Sequence, residues 1–207
     1  MSNTARNRFL VMMVKRPACG AVKSRLAADL GAVAATSIYR TMMYNSIRRL
    51  SHDPRWQFVL AIAPDNAVME PVWPPGIPLM SQGPGDLGDR MHRVMTDLPP
   101  GPVVIIGSDI AGMKPAHIAR AFKKLGDAVV VFSPADDGGY SLVGLKRIPK
   151  TPAIFSNVRW SSEHTLADTM GNLEGYKTAY IEGLEDIDTA ADWSEWSAKG
   201  SAGRLCY

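Results

Sequence analysis

Cysteine is nearly absent: Cys19 and Cys206 are the only two in 207 residues. Two such distant thiols build neither a disulfide framework nor a four-ligand zinc site, and they suit a reducing compartment. Long apolar runs are missing as well. The first candidate, "FLVMMV", is six residues between Arg6 and Arg8 on one side and Lys15 and Arg16 on the other. That is too short and too interrupted for a signal peptide or a membrane span. Charge of one sign is also scarce, since 23 Lys and Arg face 20 Asp and Glu for a net +3. A balance so small and dispersed argues against nucleic acid and leaves a small anion as the more natural partner. There is no 20-to-50-residue repeat, no low-complexity tract, and no G-x-x-x-x-G-K-S/T loop. His52, His92, His117 and His164 are scattered without metal spacing, and no Ser-His-Asp or Cys-His arrangement can be read. The expectation is one cytoplasmic domain over residues 1–207, of unknown oligomeric state.

What is present is an alternation. "RFLVMMVK", "WQFVLAIAP", "PVVIIGSD" and "DAVVVFSPA" are short, branched and continuously apolar, the pattern of strands buried on both faces. Between them helical spacing predicts Val33 to Leu50, Leu87 to Leu98 and Pro115 to Leu125, the last with proline at a helix start. "PVWPPGIP" at 71–78 reads as a stiff loop within the domain. Later, "GGYSLVGLK" reads as a strand, Glu163 to Met170 as a helix, "YKTAYI" as an edge strand and Thr189 to Ser197 as a last helix. Alternating strands and helices imply right-handed crossovers and a three-layer α/β/α sandwich around a mostly parallel sheet.

Ligands of such sheets gather beyond the carboxyl ends of the strands, which directs attention to four stretches. "VIIGSDIAG" ends a buried strand on Asp109, a residue that either holds a metal or ligand hydroxyl or satisfies loop amides. "KRPACGAVKSRL" gathers Lys15, Arg16, Lys23 and Arg25 around Pro17 and Gly20, a loop able to wrap a di- or triphosphate or to stand as a solvated basic turn. "SQGPGDLGDRM" satisfies G-x-G-x-x-G through Gly83, Gly85 and Gly88, with Asp109 downstream, and so mimics a dinucleotide fingerprint. Against NAD stand Pro78 in the preceding run and Asp86 and Asp89 beside any pyrophosphate. "SPADDGGYSLVGL" sets Asp136 and Asp137 before Gly138 and Gly139. There Asp137 is expected to face an acceptor or sugar as hydroxyl ligand or general base, and Asp136 to brace the turn. Finally "LEDIDTAADW" carries Asp186 and Asp188, the latter equally placed to cap a helix.

Taken in order, "VKRPACGAVKSRLAADLG", "QGPGDLGDRM", "GSDIAGM", "PADDGGYSLVGL", "NVRWSSEHTLADT" and "DIDTAADW" resemble the GT-A-like nucleotide-diphospho-sugar transferases, specifically a bacterial branch of glycosyltransferases. The resemblance implies that Lys15, Lys23 and Arg25 bind nucleotide phosphates, and that Gln82, Gly85, Asp86 and Leu87 hold the nucleoside. It also implies that Asp109 and Asp188 share Mg²⁺ or Mn²⁺. The first loop lacks a G-x-G-x-R form and is similar instead to the P-x-x-x-x-x-K-S-R-L form of some guanylyltransferases. The implied activity is a metal-dependent transferase acting on a nucleotide or nucleotide sugar and a small acceptor, with sugar transfer as the main expectation. Nucleotidyl transfer releasing pyrophosphate and a non-catalytic nucleotide-binding module are the alternatives.

Overall fold

A strand buried on both faces needs a layer on each. β1 (Phe9–Lys15) is such a strand: Leu10, Met12 and Val14 enter one core, Phe9 and Val11 the other. The computed structural model describes residues 7–110, 112–147, 151–184 and 189–202. After β1 come α1 (Ser24–Leu30), α2 (Ala32–Leu50), β2 (Gln57–Ala63), β3 (Leu79–Ser81), α3 (Leu87–Asp97), β4 (Val103–Ile106) and α4 (Pro115–Lys124). β5 (Val130–Pro134), β6 (Tyr140–Leu145), α5 (Thr165–Gly171), β7 (Thr178–Tyr180) and α6 (Ala190–Ala202) follow. The strands form one sheet in the order β3-β2-β1-β4-β6-β5-β7, in which β6 runs antiparallel to both neighbours and every other pairing is parallel. On one face α2 buries Tyr39, Met43, Ile47 and Leu50, and α4 buries Ile118, Ala121 and Phe122. On the other, α3 buries Met91, Val94 and Met95. The architecture is the expected three-layer sandwich with a mostly parallel sheet.

The differences are local. Behind the proline-rich loop, Leu79–Ser81 adds a short parallel strand to β2, paired as Leu60 with Leu79. Three residues are too few to display a period, so this strand has no signature of its own. The helical region before Leu50 begins at Ala32 and is separated from α1 by Gly31, whose φ of 84° an L side chain adopts only with strain. α5 and α6 are each displaced by a residue or two at their starts, as helix ends commonly are.

One buried cation holds the sheet to α3. Arg147 donates from Nε to Gly101 O at 2.7 Å and from its terminal nitrogens to the carbonyls of Met95, Leu98 and Pro99. It thereby satisfies carbonyls that a helix end leaves unpaired. Burial pulls the guanidinium pKa below its ordinary value, yet each of its three nitrogens reaches a carbonyl acceptor. Arg147→Met should cost about 2–4 kcal/mol because several charge-assisted bonds to buried carbonyls vanish together. Urea melts check this, and a loss under about 0.5 kcal/mol, the surface-substitution level, would deny the role.

The topology places the carboxyl ends of β1, β4 and β5 along one edge of the sheet, and the amino end of α3 joins them through the lining of a common cleft.

Candidate functional site

A cleft of about 610 Å³ opens at that edge, a size suited to a nucleotide-sized ligand. Of the residues expected to bind phosphate, Lys15 and Lys23 line it and Arg25 does not; Arg25 is exposed on α1. The four expected at the nucleoside, Gln82, Gly85, Asp86 and Leu87, all line it. So do Asp109, Asp137 and Gly139, whereas Gly138 does not. Asp186 and Asp188 lie outside the described residues.

An ion pair in the cleft joins two distant segments. Lys23 Nζ donates to Asp109 Oδ2 at 3.0 Å, so Asp109 answers a cation rather than capping its own loop. The lysine side chain is 6% exposed and the aspartate side chain 34%, which puts the ammonium beneath and the carboxylate at the solvent edge. Lys23 also sits at φ 51°, the left-handed region, immediately before α1. For a residue with a Cβ that conformation is costly and is found where the surroundings impose it, often at functional sites.

Tyr39 fixes the frame around this pair. Its hydroxyl accepts the Lys15 backbone N–H at 3.0 Å, donates to the Lys15 carbonyl at 3.0 Å and is hydrogen-bonded to the Ser108 hydroxyl at 3.0 Å. Burial pushes the phenol pKa up, so it stays protonated as a donor. One side chain from α2 therefore ties the end of β1 to the residue before Asp109. Sequence reasoning missed Tyr39 because, between Ile38 and Met42, it reads as an ordinary core residue.

The glycine-rich segment has a packing explanation. Asp86 caps α3, accepting from Asp89 N at 2.9 Å, while Asp89 accepts from Asp86 N at 3.1 Å. A carboxylate already occupies the first-turn amides that a dinucleotide pyrophosphate would need. Gly85 has φ 100°, and a Cβ there would meet Asp89; a Cβ on Gly88 would lie 2.6 Å from the Trp160 ring. The G-x-G-x-x-G pattern is thus a turn and a helix contact. Gln82 is buried, and its Nε2 donates to Val14 O and Ala61 O at 3.1 and 2.8 Å, bridging β1 to β2. Leu87 leaves 44% of its surface exposed in the cleft, an apolar platform beside polar walls.

Beyond β4 the wall belongs to the β5–β6 turn and the segment before α5. Asp137 Oδ1 accepts Gly139 N at 2.9 Å, so Asp137 itself braces the turn, the part expected of Asp136. Gly138 is required for packing rather than for ligand approach: its φ is 82°, and a Cβ would lie 2.2 Å from Glu163 O. Trp160, Ser161, Ser162 and Thr165 complete this wall. The Asp168 carboxylate accepts from Arg159 N, Nε and a terminal nitrogen at 2.8–3.0 Å, which holds the acid well below the usual carboxylate range and anchors the residue next to Trp160. The Trp160 indole N–H has no partner among the described residues, uncommon for a buried donor.

None of the four histidines lines the cleft; His117 pairs with Glu182 at 3.3 Å, at the end of β7. Cys19 is exposed. Among the described residues no three His, Cys, Asp or Glu are placed together to enclose a metal. A hydrated hard cation needs less: one or two carboxylates, with water and substrate phosphates as the remaining ligands. Asp109, an oxygen donor at the solvent edge of a nucleotide-sized cleft, fits that demand.

Among the described residues no helix is long and apolar enough to cross a membrane. A family model described as "Uncharacterized protein conserved in bacteria (DUF2064)" matches residues 46–162, more than half of the chain. No curated protein matches. Among solved structures, a Desulfovibrio desulfuricans G20 protein named "putative nucleotide-diphospho-sugar transferase" superposes with TM-score 0.87 at 25% identity, covering 96% of this chain and 90% of that one. 4-diphosphocytidyl-2C-methyl-D-erythritol synthase from Anaerococcus prevotii DSM 20548 matches with TM-score 0.60 at 10% identity over 95% and 99% of the two chains. Rv0371C of Mycobacterium tuberculosis H37Rv, in complex with manganese, matches with TM-score 0.53 at 16% identity over 93% and 98%. At those last two identities the likeness is one of fold.

Proposed function

The chain belongs to the DUF2064 family and has the GT-A-like fold of nucleotide-diphospho-sugar transferases, and from that premise we propose that it is a metal-dependent transferase using a nucleotide-activated substrate, chiefly a nucleotide-sugar glycosyltransferase. The observation that carries this reading is the Lys23–Asp109 pair, a cation and a carboxylate brought from distant segments to one cleft beside Lys15. Lys15 and Lys23 bind the diphosphate. Leu87 offers its exposed surface to the nucleoside, with the backbone of Gln82, Gly85 and Asp86 alongside. Asp109, with Asp188, holds Mg²⁺ or Mn²⁺, which when bound neutralises charge on phosphate oxygens. The name of the Desulfovibrio neighbour and the manganese in the mycobacterial one support the substrate class and the ion.

Tyr39 keeps Lys15 and Ser108 at fixed separation, so that phosphate and ion ligands are held before substrate arrives. Asp137 stands on the acceptor side and takes or orients the proton of the attacking hydroxyl. Asp137→Asn preserves the turn, because an amide oxygen also accepts the Gly139 N–H. It should lower turnover by about a hundredfold, within the range of lost general-base catalysis, while nucleotide affinity holds. Equal turnover would leave Asp137 a turn residue.

Nucleotidyl transfer is the second reading, favoured by the Pro17 to Leu26 spacing and the cytidylyl-type name of the Anaerococcus neighbour. Product analysis separates the two. Glycosyl transfer releases a nucleoside diphosphate from a nucleotide sugar, and nucleotidyl transfer releases pyrophosphate from a triphosphate. Nucleotide binding without either product across a broad acceptor panel would identify a binding module.

A further inference from the structure

α3 separates two cavities. Leu87 and Arg90 line the nucleotide-sized cleft, Met91, Val94 and Met95 enter the core, and Asp89, His92 and Arg93 line a second groove of about 370 Å³ on the outer side of the helix. Phe155 and Ser156, from the segment after β6, form its opposite wall. The volume admits a small molecule. Three of its side chains offer hydrogen-bond donors. Arg93 uses one nitrogen within the protein: Nη1 donates to Gln82 O at 2.8 Å and to Pro84 O at 2.9 Å. Its Nε and Nη2 have no partner among the described residues and are not buried orphans, so that edge of the guanidinium is open to solvent. The His92 imidazole and the Ser156 hydroxyl also lack partners among the described residues. Asp89, the one carboxylate of the groove's described lining, already accepts Asp86 N at 3.1 Å at the amino end of α3, where the helix dipole answers its charge.

We propose that this groove is a second ligand site, that it takes a small oxyanion, the carboxylate or phosphate group of a soluble ligand, on Arg93 and His92, and that its occupancy is transmitted to the cleft through Arg93. The Nε–Nη2 edge is a two-donor fork that matches two oxygens of a carboxylate or phosphate. An imidazole N–H beside it and the Ser156 hydroxyl across the groove add further donors. Transmission follows from Nη1. The carbonyls it holds belong to the loop 82–85, of which Gln82 and Gly85 line the cleft. Asp65 Oδ1 accepts Gly83 N of the same loop at 3.0 Å, so Arg93 and Asp65 hold the loop without lining the cleft themselves. Gly83 leaves the room that Arg93 occupies, since a Cβ there would overlap the guanidinium. An oxyanion that fixes the open edge of Arg93 reduces the freedom of a loop that a nucleotide must order, so the two ligands favour each other. The transmission rests on the nucleotide reading of the cleft; the groove itself does not.

The test titrates inorganic phosphate and succinate, each against chloride at constant ionic strength, and follows the imidazole NMR signals of His92, assigned with His92→Ala. Saturable shifts are expected for at least one probe in the wild type and again in Lys23→Met, which removes a phosphate contact from the cleft and leaves the groove intact. Arg93→Lys keeps a cation for the two carbonyls but loses the fork, and should weaken the oxyanion about tenfold or more. His92→Ala, read by calorimetry, carries the same test should Arg93→Lys fail to fold. With the bound probe saturating and Mg²⁺ in excess, UDP or GDP should bind about fivefold or more tightly in the wild type, a gain absent from Arg93→Lys. No saturable shift with either probe, shifts lost in Lys23→Met, or an oxyanion held equally well by Arg93→Lys and His92→Ala overturns the site. Nucleotide affinity indifferent to the bound probe overturns the transmission. Failure of every nucleotide to bind the wild type sinks the transferase reading, while the His92 titration still decides the groove.

Discussion

Asp109→Asn is expected to reduce metal-dependent turnover by about a hundredfold or more, the scale seen when a metal ligand or its support is removed. The substitution keeps the shape and still offers Lys23 an acceptor, but it removes the charge that a divalent ion requires. It should also cost stability. The Lys23 ammonium beneath the surface would lose the Asp109 charge, and because the Asp109 side chain is one-third exposed water compensates in part, leaving about 1–2 kcal/mol of destabilisation. Turnover measured at saturating metal checks the first effect and urea melts the second. Turnover within about threefold of wild type, under 1 kcal/mol of barrier, would return Asp109 to a purely structural pairing with Lys23.

Lys23→Met should show the opposite asymmetry. Nucleoside diphosphate affinity should fall about ten- to a hundredfold, the worth of a charge-assisted phosphate contact of roughly 1.5–3 kcal/mol. Stability should change little, since Asp109 at the solvent edge can hydrate once its partner is gone. An unbranched side chain replaces an unbranched one, so the left-handed backbone at this position is no worse served. Affinity unchanged in Lys23→Met, measured by calorimetry, would make Lys23 a counter-ion within the protein rather than a phosphate ligand.

The sandwich was legible in residues 9–15, 57–63, 103–106 and 130–134 because each is a short, continuously apolar strand whose neighbours have helical spacing. β3 was not, being three residues long behind a proline-rich loop. Within the cleft, Lys23 and Asp109 could be singled out because each lies in a loop that follows a strand's carboxyl end, where ligands of such sheets gather. Their direct contact across 86 positions of chain could not, since only the fold brings α1 to β4. Tyr39 and Trp160 carry no local pattern that separates them from core aromatics; their parts depend on hydrogen bonds and packing made at long range. The glycines at 83, 85 and 88 mimic a dinucleotide loop because spacing does not record whether Asp86 already fills the helix end. Gly138 likewise owes its place to Glu163, a neighbour 25 positions away.

The most direct measurement is a calorimetric titration of the wild-type protein with ADP, GDP, CDP and UDP, each in Mg²⁺ or Mn²⁺ and again in EDTA. A phosphate-binding cleft with Asp109 at its metal position predicts that at least one nucleotide binds with the ion and about tenfold or more weakly without it, and that Lys23→Met weakens binding about ten- to a hundredfold. Binding of no nucleotide, or binding indifferent to both the ion and Lys23, would contradict it.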